Sequence, residues 1–357
     1  MSPARSTVLG LMLLGALLLL PSAAAARTVL LQKDGQWQLQ VDGRPYIARG
    51  VTFSGSGNST AYDVDCARLA ALGVNTLRTW GTGSETRLLL DADHPVISVD
   101  AWTLAVPWWE KHVPSLDAYG LNVYGGGIHA LPAALAQAGV KKPWFITEFG
   151  AQGEWDAPRD AHGVPREPTD AEKYAAIVDG WNTALAPHVK AGRCLGLFVF
   201  NFGASFDHTG LWLGMLSGSS TRPAWWAVRE AFTGQKPSTP LPRIDAVAVQ
   251  GAVREGPTTW ALVHVDVADS DPKRPGVSFA YNFRSAATRH ERDEVRRLDA
   301  QPGPTPGTWR VRMPAVRGAI KLYALARDGA GNLAVATTSA ALPLTPAEPA
   351  RPPSSPP

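Results

Sequence analysis

Cysteine is almost missing from this 357-residue chain, which carries Cys66 and Cys194 and no others. A fold stapled by several disulfides is therefore excluded. Metal-ligand clusters are lacking too: His94, His112, His129 and His162 stand apart, without the spacing of a zinc site. The lysines and arginines form no stripe, and the formal net charge is only +3, so nothing points to nucleic acid. After the first residues no apolar run approaches the ~20 residues that a bilayer-crossing helix needs. No internal repeat is present. Apolar residues at 45% and charged ones at 18% are ordinary for a folded globular protein.

The N-terminus is strongly patterned. Arg5 supplies a positive charge, Val8 to Leu20 is almost wholly apolar, and Ser22 to Ala26 are small residues before polar sequence resumes at Arg27. This is the layout of a secretory signal peptide over residues 1–26, cleaved just before Arg27. A retained anchor helix is the alternative, for which the apolar run is short. The expected location is periplasmic or extracellular, with no membrane span in the mature chain.

Residues 28–45 read as a hairpin, with turns at Lys33-Asp34-Gly35 and Asp42-Gly43. Apolar strands then alternate with helices. Strands are expected over 46–53, 74–80, 95–99, 118–124, 144–149 and 195–202. Helices are expected over 61–72, 108–116, 130–138, 170–185 and 224–232, with Thr169 capping the fourth. The pattern predicts an α/β fold, a (β/α)8-type TIM barrel over residues 27–234, incomplete at about six barrel strands. Cys66 and Cys194 fall on its first helix and last strand. Export would permit a disulfide between them, but nothing fixes their separation, and two free buried thiols are expected. Residues 235–242 form a linker. Alternating strands such as Trp260–Val265 and Ala319–Arg327 then predict a small all-β sandwich domain over 243–342. The Pro-rich tail over 343–357 is expected to be disordered.

In such a barrel, chemistry gathers at the C-terminal ends of the strands. Those ends read Arg78-Thr79-Trp80, Asn122-Val123-Tyr124, Thr147-Glu148-Phe149 and Phe200-Asn201-Phe202. A carboxylate at the end of an apolar strand is costly to desolvate unless a cation or donors hold it. Arg78 and Tyr124 would supply both, keeping Glu148 ionised as a nucleophile must be. The plainer alternative is an Arg–Glu pair that braces the barrel. The 13 tryptophans offer flat apolar faces suited to sugar rings. Trp102, Trp108, Trp109 and Trp212 lie near strand ends or loops. Trp80 and Trp155 are taken as sugar contacts, alongside Asn122 and Asn201. Trp144, Trp181, Trp225 and Trp226 are assigned to packing.

Four segments resemble the retaining (β/α)8 glycoside hydrolases, most closely the catalytic barrel of glycoside hydrolase family 2. Asp42 to Val51 is similar to the family's entry into strand 1. Leu72 to Trp80 is similar to strand 2, with Arg78 as its active-site arginine. Asp117 to Tyr124 is similar to strand 6, whose tyrosine supports the nucleophile, and Pro143 to Gly150 to strand 7, which carries it. The resemblance covers about Gln38 to Phe232. It implies Glu148 as catalytic nucleophile, Arg78 and Tyr124 as its supports, and a double-displacement reaction on an O-glycosidic bond.

One departure bears on activity. These enzymes carry the general acid/base glutamate in an Asn-Glu pair at the end of strand 4, and this chain has no Asn-Glu pair. Leu90-Asp91 resembles helix 2 and Asp93 to Ile97 the lead into strand 5, so strands 3 and 4 are expected to be missing. The stretch from Tyr46 to Gly234 is also shorter than the ~250 residues of a complete barrel. Retaining hydrolysis needs a second carboxyl group ~5–5.5 Å from the first. Weak substitutes are Glu85, Asp91, Glu154 and Asp156, each of which reads more simply as a solvated loop charge. The expectation is a glycoside hydrolase or transglycosylase acting on a β-glucan-like polysaccharide, with no metal or organic cofactor. Its rivals are a carbohydrate-binding protein that has lost the acid, and a gapped chain that does not fold stably.

Overall fold

The computed structural model describes residues 27–53, 59–78, 95–101, 105–203, 211–268, 276–283 and 295–344. The expected signal peptide, the chain beyond 344, and Trp80, Glu85, Asp91 and Trp102 lie outside the described residues.

The first strands are β1 (Thr28–Lys33), β2 (Gln36–Val41) and β3 (Arg44–Tyr46), an antiparallel sheet with one strand more than the expected hairpin. Asp34 and Asp42 take positive φ of 52° and 49° in its two Asp-Gly turns, a backbone that the short polar side chain tolerates. There follow β4 (Ala48–Phe53), α1 (Ser59–Ala71), β5 (Thr76–Arg78), β6 (Ile97–Asp100), α2 (Ala105–His112), β7 (Ala118–Tyr124), α3 (Gly127–Gln137) and β8 (Trp144–Gly150). Helix α4 (Asp170–Asp179) runs through a π-helical turn, Gly180–Leu185, into α5 (Ala186–Lys190), and β9 (Cys194–Phe202) ends this part. Among the described residues six of these strands form a curled parallel half-barrel, in the order β5-β4-β9-β8-β7-β6.

Strands of a parallel sheet are apolar throughout because helices cover one face and inward side chains fill the other. On β8, Trp144, Ile146 and Phe149 join Leu131, Leu135 and Ile177 in the helix-side core. Phe145 instead meets Leu39, Ala118 and Leu195 on the inner side. The N-terminal sheet closes that inner cluster, with Trp37 Nε1 donating to Lys141 O at 3.2 Å. Gly50 lets β4 fit there, since a Cβ would meet the Phe198 ring at 2.1 Å.

Helix boundaries moved where local signals were weak. Helix α2 starts at Ala105 and stops at His112, ahead of the expected 108–116. The helix opened by Thr169 has the predicted cap, a capping box with Glu172, but runs past 185 to Lys190. Both cysteines are free; Cys194 is buried as expected, whereas Cys66 is exposed on α1, which corrects its placement in the core.

A short hairpin, β10 (Leu216–Ser217) and β11 (Ser220–Thr221), precedes α6 (Pro223–Thr233). The remaining strands are β12 (Arg243–Glu255), β13 (Thr258–Ala268), β14 (Gly276–Asn282), β15 (Arg296–Leu298), β16 (Ala300–Pro302), β17 (Thr308–Arg312), β18 (Gly318–Arg327) and β19 (Leu333–Leu342). They form two four-stranded antiparallel sheets, β12-β13-β17-β16 and β15-β14-β18-β19. Val263, Val265 and Val311 of the first share one core with Phe279, Leu322 and Ala336 of the second.

These sheets meet the half-barrel through buried charge. Glu167 accepts from Lys173 Nζ at 2.6 Å through Oε1 and pairs with Lys321 Nζ at 2.6 Å through Oε2. Asp170 pairs with Arg222 and with Lys173 at 3.4 Å, and its Oδ2 accepts the Val335 amide at 3.0 Å. Burial opposes ionisation of Glu167, yet Lys173 and Lys321 outweigh it and hold the carboxyl down at about 2.

Candidate active site

Glu148 owes its direction to a break in strand alternation. With a period of two, Ile146 and Glu148 would face the same side of β8, and Ile146 faces the helices. Pairing with β7 resolves this: Leu121 opposes Ile146 and Asn122 opposes Glu148, leaving Thr147 as the extra residue of a bulge. Bulges of this kind re-aim side chains beside functional sites. Phe149 thereby returns to the helix-side core, and Glu148 joins the lining of a cavity at the strand ends.

Each oxygen of that carboxylate has its own donor. Arg78 Nη1, at the end of β5, lies 2.7 Å from Oε1. Tyr124 Oη, at the end of β7, donates to Oε2 at 2.7 Å. Arg78 Nη1 also reaches Thr52 Oγ1 at 3.4 Å, and Thr147 Oγ1 donates to Asn122 Oδ1 at 2.8 Å. Thr52 and Thr147 were not singled out from sequence, although both stand at strand ends, where they might have been sought. The Glu148 side chain is 13% exposed, enough to face a ligand while its two donors fix its orientation.

The cavity measures about 590 Å³. Asn122, Tyr124, Glu148, Trp155 and Asp156 line one part of it, and Ala130, Leu131 and Ala134 of α3 form an apolar wall. Trp155 is 55% exposed and sets its ring edge-on to Tyr124, with centroids 4.9 Å apart. Phe200 packs on Tyr124 at 6.1 Å. Asp156 reaches the cavity whereas its neighbour Glu154 is absent from the lining. Gly125, at φ 54°, lets the loop after β8 lie close, since a Cβ there would meet Gln152 Cα at 3.1 Å.

The other expected positions are distributed differently. Asn201 is fully buried and lies outside the cavity lining, and no hydrogen bond reaches its side-chain amide. Trp212 is buried and donates through Nε1 to Gln152 O at 2.8 Å. Trp144 and Trp225 are core residues, and Trp181 and Trp226 pack against that core. Among the described residues no three His, Cys, Asp or Glu side chains gather to hold a metal ion, and no helix is long and apolar enough to cross a membrane.

No protein-family model matches the chain, and no curated protein matches it by sequence. Solved structures similar to it include glycoside hydrolases. A Parabacteroides merdae β-glucuronidase is 12% identical, over 87% of this chain and 50% of its own, with a TM-score of 0.35. A family 39 glycoside hydrolase from Bacteroides cellulosilyticus is 11% identical, over 80% and 63%, at 0.28. A family 39 β-xylosidase from Caulobacter crescentus is 14% identical, over 67% and 66%, at 0.27. The chain thus spans half the length of the first of these proteins.

Proposed function

We propose that the chain is a retaining glycoside hydrolase, or a transglycosylase, of the family 2 type, acting on a β-glucan-like polysaccharide outside the cytoplasm. The observation that carries the reading is Glu148, held through both oxygens by Arg78 and Tyr124 at 2.7 Å beside a sugar-sized cavity. A carboxylate oxygen of Glu148 attacks the anomeric carbon, the glycosidic C–O bond breaks, and the leaving oxygen takes up a proton. Water, or an acceptor hydroxyl, then displaces Glu148 and gives up a proton in turn. Trp155 offers its exposed face to a sugar ring. The acidic side chains on the described lining, Glu148 and Asp156, fit a neutral polysaccharide better than an acidic one. Asp156, which lines the same cavity, is the candidate to donate the proton.

The half-barrel is read as a barrel without strands 3 and 4. Residues 79–96 join β5 to β6, too few for two strand-helix units when one βαβ unit takes ~30 residues or more. The domain layout follows: a signal peptide over 1–26, the catalytic half-barrel to 234, a linker to 242, and a β-sandwich to 342.

The absent Asn-Glu pair favours a second reading, a carbohydrate-binding protein that has lost its acid. A 2,4-dinitrophenyl 2-deoxy-2-fluoro-β-glucoside tests the nucleophile, because its leaving group needs no protonation. Mass spectrometry should find the fluorosugar on the peptide that contains Glu148. Release of reducing ends from soluble β-glucan, expected under the first reading and absent under the second, tests for the acid. Retained binding of the glucan without that release would establish the second reading instead.

A further inference from the structure

We propose that Lys321, on β18 of the C-terminal sheets, is a positioning residue for the Glu148 site, so that these sheets are a working part of it. The proposal deepens the glycosidase reading and rests on it for the function of the loop it positions. The route is short and every step is a contact. Lys321 is 1% exposed and sets its ammonium 4.0 Å from the centre of the Trp212 ring. A cation over an indole in a dry environment is strongly attracted to the ring face. Trp212, itself 2% exposed, donates to the carbonyl of Gln152 at 2.8 Å. Gln152 in turn donates through Nε2 to the carbonyl of Asp156 at 3.0 Å, closing the turn that presents Trp155 and Asp156. Trp155 abuts Tyr124, whose hydroxyl holds Glu148.

A buried ammonium is costly unless paired. Glu167 supplies the pair and is shared with Lys173 of α4, so the cation over Trp212 is fixed from two sides. Trp212 also packs with Phe200, Leu213, Tyr124 and Ala157 in one small cluster. A displaced indole would therefore disturb the loop backbone and the Tyr124 ring together. A detachable sugar-binding or spacer module would need no such linkage.

The test is amide hydrogen exchange of residues 150–157 in the full chain, with and without Lys321→Met, which keeps the apolar stem and removes the ammonium. Exchange of this loop should quicken about tenfold or more while β7 and β8 keep their protection. In the labelling reaction, half-saturation by the dinitrophenyl fluoroglucoside should rise several-fold. Unchanged loop exchange in a folded variant, or acceleration spread evenly over the half-barrel, overturns the proposal. If Lys321→Met does not fold, Trp212→Phe decides by the same criteria, since it keeps a ring and loses the bond to Gln152. A loosened loop in a protein whose parent is never labelled would leave the positioning role standing and reject the glycosidase reading.

Discussion

Replacing Glu167 by Gln tests the charged junction between half-barrel and sheets, and its size can be worked out two ways. The substitution keeps the shape and removes the counter-ion that Lys173 and Lys321 share at 2.6 Å each. Breaking a buried ion pair from one side costs about 3–5 kcal/mol, because the remaining charge is stranded. The carboxyl group gives a similar value: it is held at about 2 against an ordinary 4.5, which corresponds to about 3 kcal/mol of stability. The folded-state value is the lower one, so this contribution is complete above pH 4.5 and is lost as the pH falls towards 2. Denaturant melts of both proteins at several pH values provide the assay. The parent should exceed Glu167→Gln by about 3 kcal/mol at pH 7, with the gap narrowing steadily below pH 4.5. A gap that is constant between pH 7 and 3, or smaller than about 1 kcal/mol at neutral pH, would refute the reasoning.

Other outcomes follow from the site. Tyr124→Phe removes one hydrogen bond to a charged oxygen, about 1.5–3 kcal/mol, and should slow fluoroglycoside labelling roughly 10- to 150-fold in stopped-time mass spectrometry. Glu148→Gln should abolish that labelling while leaving the melting midpoint within a few degrees. Trp155→Ala should weaken binding of soluble β-glucan about tenfold in affinity electrophoresis, with little change in stability. A thiol reagent should modify Cys66 within minutes and leave Cys194 untouched until the chain unfolds, because burial pushes the Cys194 thiol up to about 12.

Much of the half-barrel was legible because its strands are apolar on both faces and separated by helix-period segments. Strands β7, β8 and β9 fall within a residue of their expected bounds. Arg78, Tyr124 and Glu148 could be picked out because a polar group at the end of an apolar strand stands out against its surroundings. What escaped is non-local. Glu167 and Asp170 lie far along the chain from Arg222 and Lys321, and all four look like ordinary surface charges, yet all are buried. Asn201 resembled the other polar strand ends but is enclosed at 0% exposure. Nothing in Thr147-Glu148-Phe149 announces that one residue is left out of register with β7. The third N-terminal strand, Arg44–Tyr46, was hidden by Pro45, a residue that lowers any strand assignment.

Thr147 therefore governs more than its own hydroxyl. Were it drawn into register opposite Asn122, regular alternation would return and Ile146 and Glu148 would share one face. The acidic group would swing into the greasy layer beneath the helices, and Phe149 would be thrust into the open basin. For this ribbon of chain, which compartment receives the carboxylate is decided by its register against the neighbouring strand rather than by the chemistry of the side chains.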